Sequence, residues 1–218
     1  MPEVTFFAQA LEALPAAAQA GGMESTLRRV FTPLNIAGYL TWAAIGWDLL
    51  LGGGRTPDWL DGPPPLVLLA ALHLAYGALF MTVIANDAQS PARLRPLVLT
   101  QYLLVFALML LAANSSLPIL LILCAVQVVH MWSPRASALL IAAVNLGLWA
   151  VYAHVWGFGA PIVSTLMVGC FQAFAASAAW FGISAERARD ELAATNADLL
   201  ATRSLLAETA RDGERLRL

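Results

Sequence analysis

Polar side chains lie inside the otherwise apolar stretches of this chain, and four of them in particular need a chemical reason. Gln127 and His130 stand three residues apart in one stretch, and Asn145 and Gln172 lie in the next two. Polar groups inside a bilayer cost free energy and often mark functional sites. These four are the candidate intramembrane sensing residues, facing a polar pocket between three helices. The alternative is that Gln127, Asn145 and Gln172 only hydrogen-bond neighbouring helices together.

Other chemistry-bearing patterns are missing from the sequence. It has no phosphate-binding glycine loop, no His/Cys metal signature, no Ser-His-Asp arrangement and no dinucleotide-binding turn. His73 and His154 are predicted nearer one membrane surface and His130 nearer the other, which argues against a shared metal or haem site. Cys124 and Cys170 lie in apolar runs, which favours buried thiols over a disulfide framework. No catalytic, cofactor-binding or metal-ligating residue is predicted.

The composition indicates the class of protein in which these polar groups are placed. The chain has 218 residues, of which 60% are hydrophobic and 12% charged, and its mean hydropathy is +0.71. Soluble proteins are about 45–50% apolar, so the composition predicts an integral membrane protein. The net charge is only −2, and no nucleic-acid partner is expected.

Six segments are apolar enough for transmembrane helices, which need about 20 mostly apolar residues. Breaks that contain Gly, Pro, Asn or Ser separate the segments, as expected where one helix ends and another begins. The fourth segment is the shortest. The predicted fold is therefore an all-α integral membrane protein with six transmembrane helices, at roughly residues 31–51, 65–86, 95–113, 117–132, 137–157 and 161–183.

The arginines predict the orientation, because cytoplasmic loops carry an excess of Lys and Arg. On the opposite side only Arg55 occurs, and Asp58 and Asp61 offset it. We therefore expect both termini in the cytoplasm. The arginines on the predicted cytoplasmic side are Arg28, Arg29, Arg93, Arg95, Arg135, Arg187 and Arg189.

Three regions follow from this arrangement. Residues 1–29 form an N-terminal cytoplasmic or interfacial segment, for which an interfacial amphipathic helix, disorder and an extension upstream of Met23 all stay open. Residues 30–183 form the six-helix transmembrane domain. Residues 184–218 continue the sixth span as a cytoplasmic helix without an intervening Pro. Because the loops between spans are short, any stimulus or substrate lies in the bilayer or dissolves into it.

The C-terminal helix has the pattern of a short coiled coil. Leu192, Leu199 and Leu206 recur every seven residues, which is the spacing of one heptad position. We expect this stripe to join two copies of the chain; the alternative is a solvated helix whose leucines pack elsewhere. In the sixth span, a stripe of small residues allows close packing, either in the dimer or within the bundle. The residues of that stripe are Gly169, Ala173 and Ser177.

Two heptad registers fit the leucines. With leucines at position a, Thr195 and Thr202 occupy d; with leucines at d, Asn196 and Arg203 occupy a. Polar residues at a or d lower stability and bring two registers close in energy. A stimulus can bias such a pair through its differential interaction with the two states. The predicted signal-transmission residues are Leu192, Asn196, Leu199, Arg203 and Leu206.

The chain ends in "ERLRL", Glu214 to Leu218, after an Ala/Arg/Glu-rich helix. From about Leu205 this region resembles the stretch just before the phosphoacceptor box of DesK-like bacterial sensor histidine kinases, where a similar stretch leads into an Arg-Glu-Leu-His-Asp box. The box itself does not occur in the sequence, so no phosphotransfer residue carries over and the chain holds no catalytic residue. The resemblance implies the transmembrane input half of a two-component sensor kinase.

The resemblance also implies partners, cofactors and location. Such a protein would be a homodimer in the bacterial inner membrane, in contact with membrane lipids. ATP and Mg are expected only in the kinase core, which this sequence does not include, and a response regulator would bind through that core. The alternative function is a small transporter or membrane enzyme, which has no need of the C-terminal coil. A third is the same input module with another output, such as a cyclase.

Overall fold

The computed structural model describes residues 30–52, 57, 60–86, 89–157 and 161–215, with side chains described up to Leu206. The predicted N-terminal segment, residues 1–29, lies outside the described residues. Within the described part the chain forms helices and no strand. The helices are α1 Pro33–Leu51, α2 Leu66–Ala85, α3 Pro91–Leu111, α4 Ile119–Met131, α5 Pro134–Trp156 and α6 Pro161–Arg215.

Local sequence signals explain where several of these helices begin and end. Thr32 Oγ1 accepts a hydrogen bond from the Asn35 N–H at 3.2 Å before α1, and Ser133 Oγ accepts one from the Ala136 N–H at 3.4 Å before α5. A hydroxyl cap satisfies a free N–H of the first helical turn, and the proline that follows each cap has none to satisfy. α5 ends at Gly157, whose φ of 84° favours glycine.

Five helices, α1, α2, α3, α5 and α6, are long and apolar enough to cross a membrane. They coincide with predicted spans, and these several apolar helices indicate a multi-pass membrane protein. α3 and α5 begin at Pro91 and Pro134, three or four residues before the predicted starts. Each helix includes a charged first turn that the hydropathy pattern assigns to a loop. α4 has only 13 residues, too few to cross a bilayer by length alone.

α4 nevertheless lies at the centre of the bundle. It packs against α3, α5 and α6 and also contacts α1. Leu120, Leu121, Cys124 and Val128 on α4 have no exposed surface. α1 packs on α2, and α2 packs on α3, so longer helices enclose the short one on most sides.

The bundle has an apolar exterior and several buried polar groups. Leu40, Val67 and Leu103 are 66%, 81% and 68% exposed, whereas Gln101 and Gln172 have no exposed surface. A water-soluble domain buries its apolar residues and exposes its polar ones. Exposed apolar side chains on several helices instead match a surface that faces hydrocarbon, where helices satisfy their own backbone groups.

α6 is one continuous helix of 55 residues, which corresponds to about 80 Å at 1.5 Å per residue. Its first part packs on α4 and α5. From Ala185 to Leu206 every side chain is exposed. The boundary that the sequence places at residue 184 is therefore a change of environment along one helix, without a change of secondary structure.

Candidate functional site

A hydrogen-bonded pair of amides lies between α5 and α6. Asn145 donates through Nδ2 to Gln172 Oε1 at 2.7 Å and to the Ile141 carbonyl of its own helix at 2.8 Å. Gly169 leaves room for this contact, because a Cβ atom there would lie 3.0 Å from Asn145 Oδ1. The structure thus brings together two of the four candidate sensing residues.

The amide pair does not use all its hydrogen-bonding capacity. Within the described part of the chain, Asn145 Oδ1, Gln172 Nε2 and Thr165 Oγ1 are buried without a partner. A buried polar atom without a partner costs about 1–3 kcal/mol. Such a cost requires an ordered water, a ligand or a second packing arrangement to explain it. The α5–α6 interface therefore has hydrogen-bonding capacity that the described residues do not use.

Gln127 and His130 do not hydrogen-bond to this pair. Gln127 is buried on α4, and neither of its amide atoms finds a partner among the described residues. His130 is exposed, and its Nδ1 lies 2.9 Å from the Val126 carbonyl of its own helix. Of the predicted pocket between three helices, the structure forms the part between α5 and α6.

Two concave regions lie along the α5–α6 interface. The Trp149 cavity, of about 520 Å³, is lined by Trp149, Asn145 and Thr165 together with apolar side chains. The Trp180 groove, of about 470 Å³, lies nearer the exposed part of α6, and its walls are mainly Ala, Ile, Val and aromatic side chains around Trp180. Mostly apolar walls with a few polar groups are typical of small-molecule sites.

The small-residue stripe of α6 faces α5. Gly169 lies against Asn145, and Ala173 and Ser177 line the Trp180 groove. The sequence allows this stripe to serve either a dimer or the bundle. In the structure Gly169 lies at the contact with α5, where the absence of a side chain lets the helices approach. Ala173 and Ser177 are exposed on the wall of the groove.

A polar network that the sequence analysis did not detect joins α1 to the segment before α4. Asp48 Oδ2 accepts hydrogen bonds from Asn114 Nδ2 at 2.9 Å and from Ser116 Oγ at 2.8 Å. The Ser116 N–H also donates to Asn114 Oδ1 at 2.8 Å. In the sequence these partners follow Asp48 by 66 and 68 residues, so no local pattern links them. This Asp48 network holds the start of α4 against the end of α1.

Arg95 holds the other end of α4. Its guanidinium donates through Nε at 3.1 Å and Nη2 at 2.8 Å to the Met131 carbonyl, and it lies over the Trp132 ring, 5.3 Å from the centroid. The last carbonyls of a helix have no partner within it and carry partial negative charge. In this Arg95 network, an arginine that the sequence identifies only as an orientation signal also caps α4.

α1 and α2 are joined by a reciprocal contact. Trp42 Nε1 donates to the His73 carbonyl and His73 Nε2 donates to the Trp42 carbonyl, both at 3.1 Å, and the stacked rings lie 5.2 Å apart. Gly46 and Gly77 admit the rings, since a Cβ at either would lie 2.5 Å from the opposite ring. His73 therefore serves helix packing. Across the described residues no three or more His, Cys, Asp and Glu side chains gather where they could hold a metal.

The two cysteines differ in environment. Cys124 is buried on α4, 3.6 Å from Tyr76 Oη, and its thiol donates to Gln101 Oε1 at 3.8 Å. This agrees with the predicted buried thiol. Cys170 is exposed on α6, so the same prediction is wrong for Cys170. An apolar run in a membrane helix has a side that faces outward, and the run by itself does not show which residues lie there.

The exposed part of α6 carries the predicted transmission residues. Leu192, Leu199 and Leu206 are 64%, 55% and 65% exposed. Asn196 and Arg203 are exposed as well. Apolar side chains this exposed in water, repeated every seven residues on one helix, are typical of a surface that packs on a partner helix.

Comparison with known proteins identifies no relative. The chain matches no family model, and searches of curated proteins and of solved structures find no match. The resemblance to sensor kinases therefore depends on the residues after Leu205 and on the architecture of the helices.

Proposed function

We propose that this chain is the transmembrane input domain of a DesK-like two-component sensor histidine kinase in the bacterial inner membrane. The observation that carries the proposal is the continuity of α6. This helix packs inside the bundle on α4 and α5 and then runs, without a break, through an exposed stretch toward "ERLRL". A shift of its membrane part therefore moves its cytoplasmic part as well. A transporter or a membrane enzyme would not need this extension.

The proposal includes α4 as a sixth crossing. Its 13 residues rise only about 20 Å, but hydrogen bonds from the N–H groups of Ile119 and Leu120 to the Ser116 and Leu117 carbonyls continue the turn toward the Asp48 network. That network joins the start of α4 to the end of α1, and the Arg95 network joins its end to the start of α3. The start of α4 thus lies beside the end of α1, and its end lies beside the start of α3. In the proposed topology these are opposite membrane surfaces, which supports a full crossing by α4.

The arginines support the same orientation. With six crossings, Arg93, Arg95, Arg135, Arg187 and Arg189 all lie on one side, as cytoplasmic residues do. With five crossings, the last three would lie on the opposite side from the first two. The proposed orientation therefore has both termini in the cytoplasm.

The stimulus in this proposal acts within the bilayer on the α5–α6 interface. Asn145, Gln172 and Thr165 hold buried polar atoms without partners there, and the Trp149 cavity opens beside them. A bilayer property or a dissolved molecule that changes this interface shifts α6 relative to α4 and α5. Membrane lipids are therefore the first expected partners of the bundle.

The output in this proposal is a change of coiled-coil register in a homodimer. Leu192, Leu199 and Leu206 have polar partners in either register, so two packings lie close in energy. The coil would pass the change to a kinase core that binds ATP and Mg and phosphorylates a response regulator. A cyclase in place of that core would use the same input mechanism.

The coding sequence that follows the Leu218 codon tests the proposed class. A His-Asp box there is the expected result, and a cyclase or another catalytic domain would redirect the proposal. The mechanism is tested by joining Leu218 to the core of a DesK-like kinase, with and without one inserted residue. We expect autophosphorylation in proteoliposomes to depend on the insertion, since one residue rotates the core by about 100°. Identical activity in both fusions would contradict transmission through α6.

Reporter fusions test the orientation. A reporter that is active only in the cytoplasm should be active at both termini and inactive in the loop at residues 52–64. Activity in that loop, or inactivity at the C-terminus, would contradict the six-span arrangement.

A further inference from the structure

One side of α6 stays exposed along the membrane part as well as the cytoplasmic part. In the membrane part it presents Met167, Phe171, Phe174 and Phe181, which are 57%, 55%, 74% and 73% exposed. In the cytoplasmic part it presents three leucines, and exposed alanines connect the two sets. The residues of this outer face are Met167, Phe171, Phe174, Ala178, Phe181, Ala185, Ala188, Leu192, Thr195, Leu199, Thr202 and Leu206.

The outer face follows a single heptad pattern. Phe171, Ala178 and Ala185 precede Leu192 at seven-residue intervals, and Met167, Phe174 and Phe181 stand at the complementary spacing of three and four residues. The pattern thus exceeds the three to four heptads that make a coiled-coil assignment firm. A strict seven-residue repeat of this length is accommodated by a left-handed supercoil.

The exposure of residues in the membrane part of α6 distinguishes between the two heptad registers that fit the leucines. With leucines at a, the d positions upstream are Met167, Phe174 and Phe181, all exposed. With leucines at d, the a positions in the membrane part are Val168, Ala175 and Gly182, of which only Gly182 is exposed. Val168 is 6% exposed and Ala175 is half-buried, because this side of α6 packs on the bundle. Only the first register leaves the membrane part of the seam free for a partner.

The threonines of the cytoplasmic part fit the same register. The Thr195 hydroxyl donates to the Glu191 carbonyl and the Thr202 hydroxyl donates to the Asp198 carbonyl, each at 2.9 Å. The hydroxyls are thus hydrogen-bonded within their own helix. Each threonine can present its methyl group at a d position without leaving a buried hydroxyl unpaired.

We infer that a second copy of this chain docks in parallel along the outer face from Met167 to Leu206, with the leucines at position a. The inference rests on the homodimer of the proposed function and adds the face, the extension into the membrane and the register of one of its two states. It assigns dimerisation to the outer face, of which Phe181 also lines the Trp180 groove, and it leaves the small-residue stripe on the side of α5.

A second copy fits this face better than lipid or an unrelated helix. Lipid can cover Phe174 and Phe181, but the leucines beyond Ala185 continue the same face outside the predicted span. Two copies in one membrane have the same orientation and depth, so their α6 helices meet in register about a two-fold axis. In that register Asp198 and the partner's Arg203 occupy the flanking g and e positions, where opposite charges favour parallel pairing.

Cysteine crosslinking in proteoliposomes tests the inference. The background carries Cys170→Ser and keeps the buried Cys124. Single cysteines are placed at 167, 174 and 181 on the outer face, at 168 and 175 on the bundle side, and at 192 and 199. We expect rapid formation of disulfide-linked dimers when the cysteine is at 167, 174, 181, 192 or 199. We expect no dimer band when the cysteine is at 168 or 175.

The outcomes separate the inference from the proposed function. Dimers at 192 and 199 but none at 167, 174 and 181 would overturn the membrane seam and leave a cytoplasmic dimer. Equal crosslinking at 168, 175, 174 and 181 would overturn the register. No crosslinking at any position would overturn the homodimer itself.

A dilution experiment in lipid provides the second measurement. Single-molecule photobleaching should show a reduced dimer fraction for the F174A/F181A variant at high lipid-to-protein ratio. The matched control is L103A/L139A, which removes side chains that are 68% and 73% exposed on α3 and α5. A control that loses dimer as strongly as the phenylalanine variant would contradict a specific seam.

Discussion

α4 is rich in leucine and valine and α6 is rich in alanine and leucine, and the bundle packs them in opposite ways. α4 has 13 residues, is enclosed by other helices and is held at its two ends by the Asp48 and Arg95 networks. α6 has 55 residues, packs along one side of its first part and has every side chain exposed from Ala185 to Leu206. α4 is thus held at its ends by neighbouring helices, whereas α6 between Ala185 and Leu206 is exposed on all sides.

The polar contacts of the two helices differ in position. At α4, Asp48 bonds side chains in the segment before the helix and Arg95 bonds its last carbonyl, with two hydrogen bonds each. At α6, the Asn145–Gln172 pair lies within the packed part of the helix and leaves buried atoms without partners. Gln127 on α4 also leaves both amide atoms without a partner among the described residues. Unpartnered buried amides therefore occur at both helices, and only the contacts at the ends of α4 distinguish them.

The largest effect on stability is expected from Leu121→Ala, compared with the same change at Leu199. Leu121 has no exposed surface on α4, and Leu199 is 55% exposed on α6. Removing a buried leucine side chain costs about 2–5 kcal/mol, while Leu199→Ala should leave bundle unfolding within about 0.5 kcal/mol. Denaturant unfolding in mixed micelles measures both. Similar losses would mean that α6 also belongs to the stable core.

The next largest effect is expected from Arg95→Ala. The variant removes two charged hydrogen bonds from the Met131 carbonyl and should cost about 1.5–3 kcal/mol. Arg93→Ala is the control, since Arg93 and Arg95 are both exposed and only Arg95 bonds the Met131 carbonyl. Micelle unfolding of both variants measures the difference. If the two variants were equally stable, the cap on α4 would contribute nothing to its fixed position.

A smaller effect is expected at the amide pair. Asn145→Leu and Gln172→Leu remove the 2.7 Å hydrogen bond between α5 and α6, and interhelical hydrogen bonds of this kind contribute about 0.6–2 kcal/mol. The double variant should lose less than the sum of the single losses, because each single variant leaves one amide without its partner. Additive losses would show that the residues do not interact.

The smallest effect on stability, with the largest effect on signalling, is expected in the coil. Asn196→Ile with Arg203→Ile should favour leucines at d, and Thr195→Ile with Thr202→Ile should favour leucines at a. Neither pair should change bundle unfolding by more than about 0.5 kcal/mol. In a full-length kinase or the fusion described above, each pair should freeze autophosphorylation in one state, and the two states should differ. A normal response in both would make the helix a passive connection.

Much of the helical layout is predictable from local sequence. Hydropathy and the breaks between apolar runs place the helices, because these signals act within one element. The predicted starts of α3 and α5 are three or four residues too late. The fourth segment shows the limit. Its apolar run predicts a span, but its 13-residue helix depends on Asp48 and Arg95, which lie in other helices. The structure brings Asn145 and Gln172 together and leaves His130 exposed. The hydrogen bond between the two amides fits both a sensing role and the alternative of interhelical packing.

The sequence by itself determined the apolar helices, the arginine distribution and the seven-residue leucine repeat in the second half of α6. These depend on the order of residue types along a single helix. The tertiary structure alone decided that the small-residue stripe faces α5, that α4 is held at both ends, and that Val168 is buried while Phe174 is exposed. A helix presents side chains on all sides, and only the packing of its neighbours determines which side remains free.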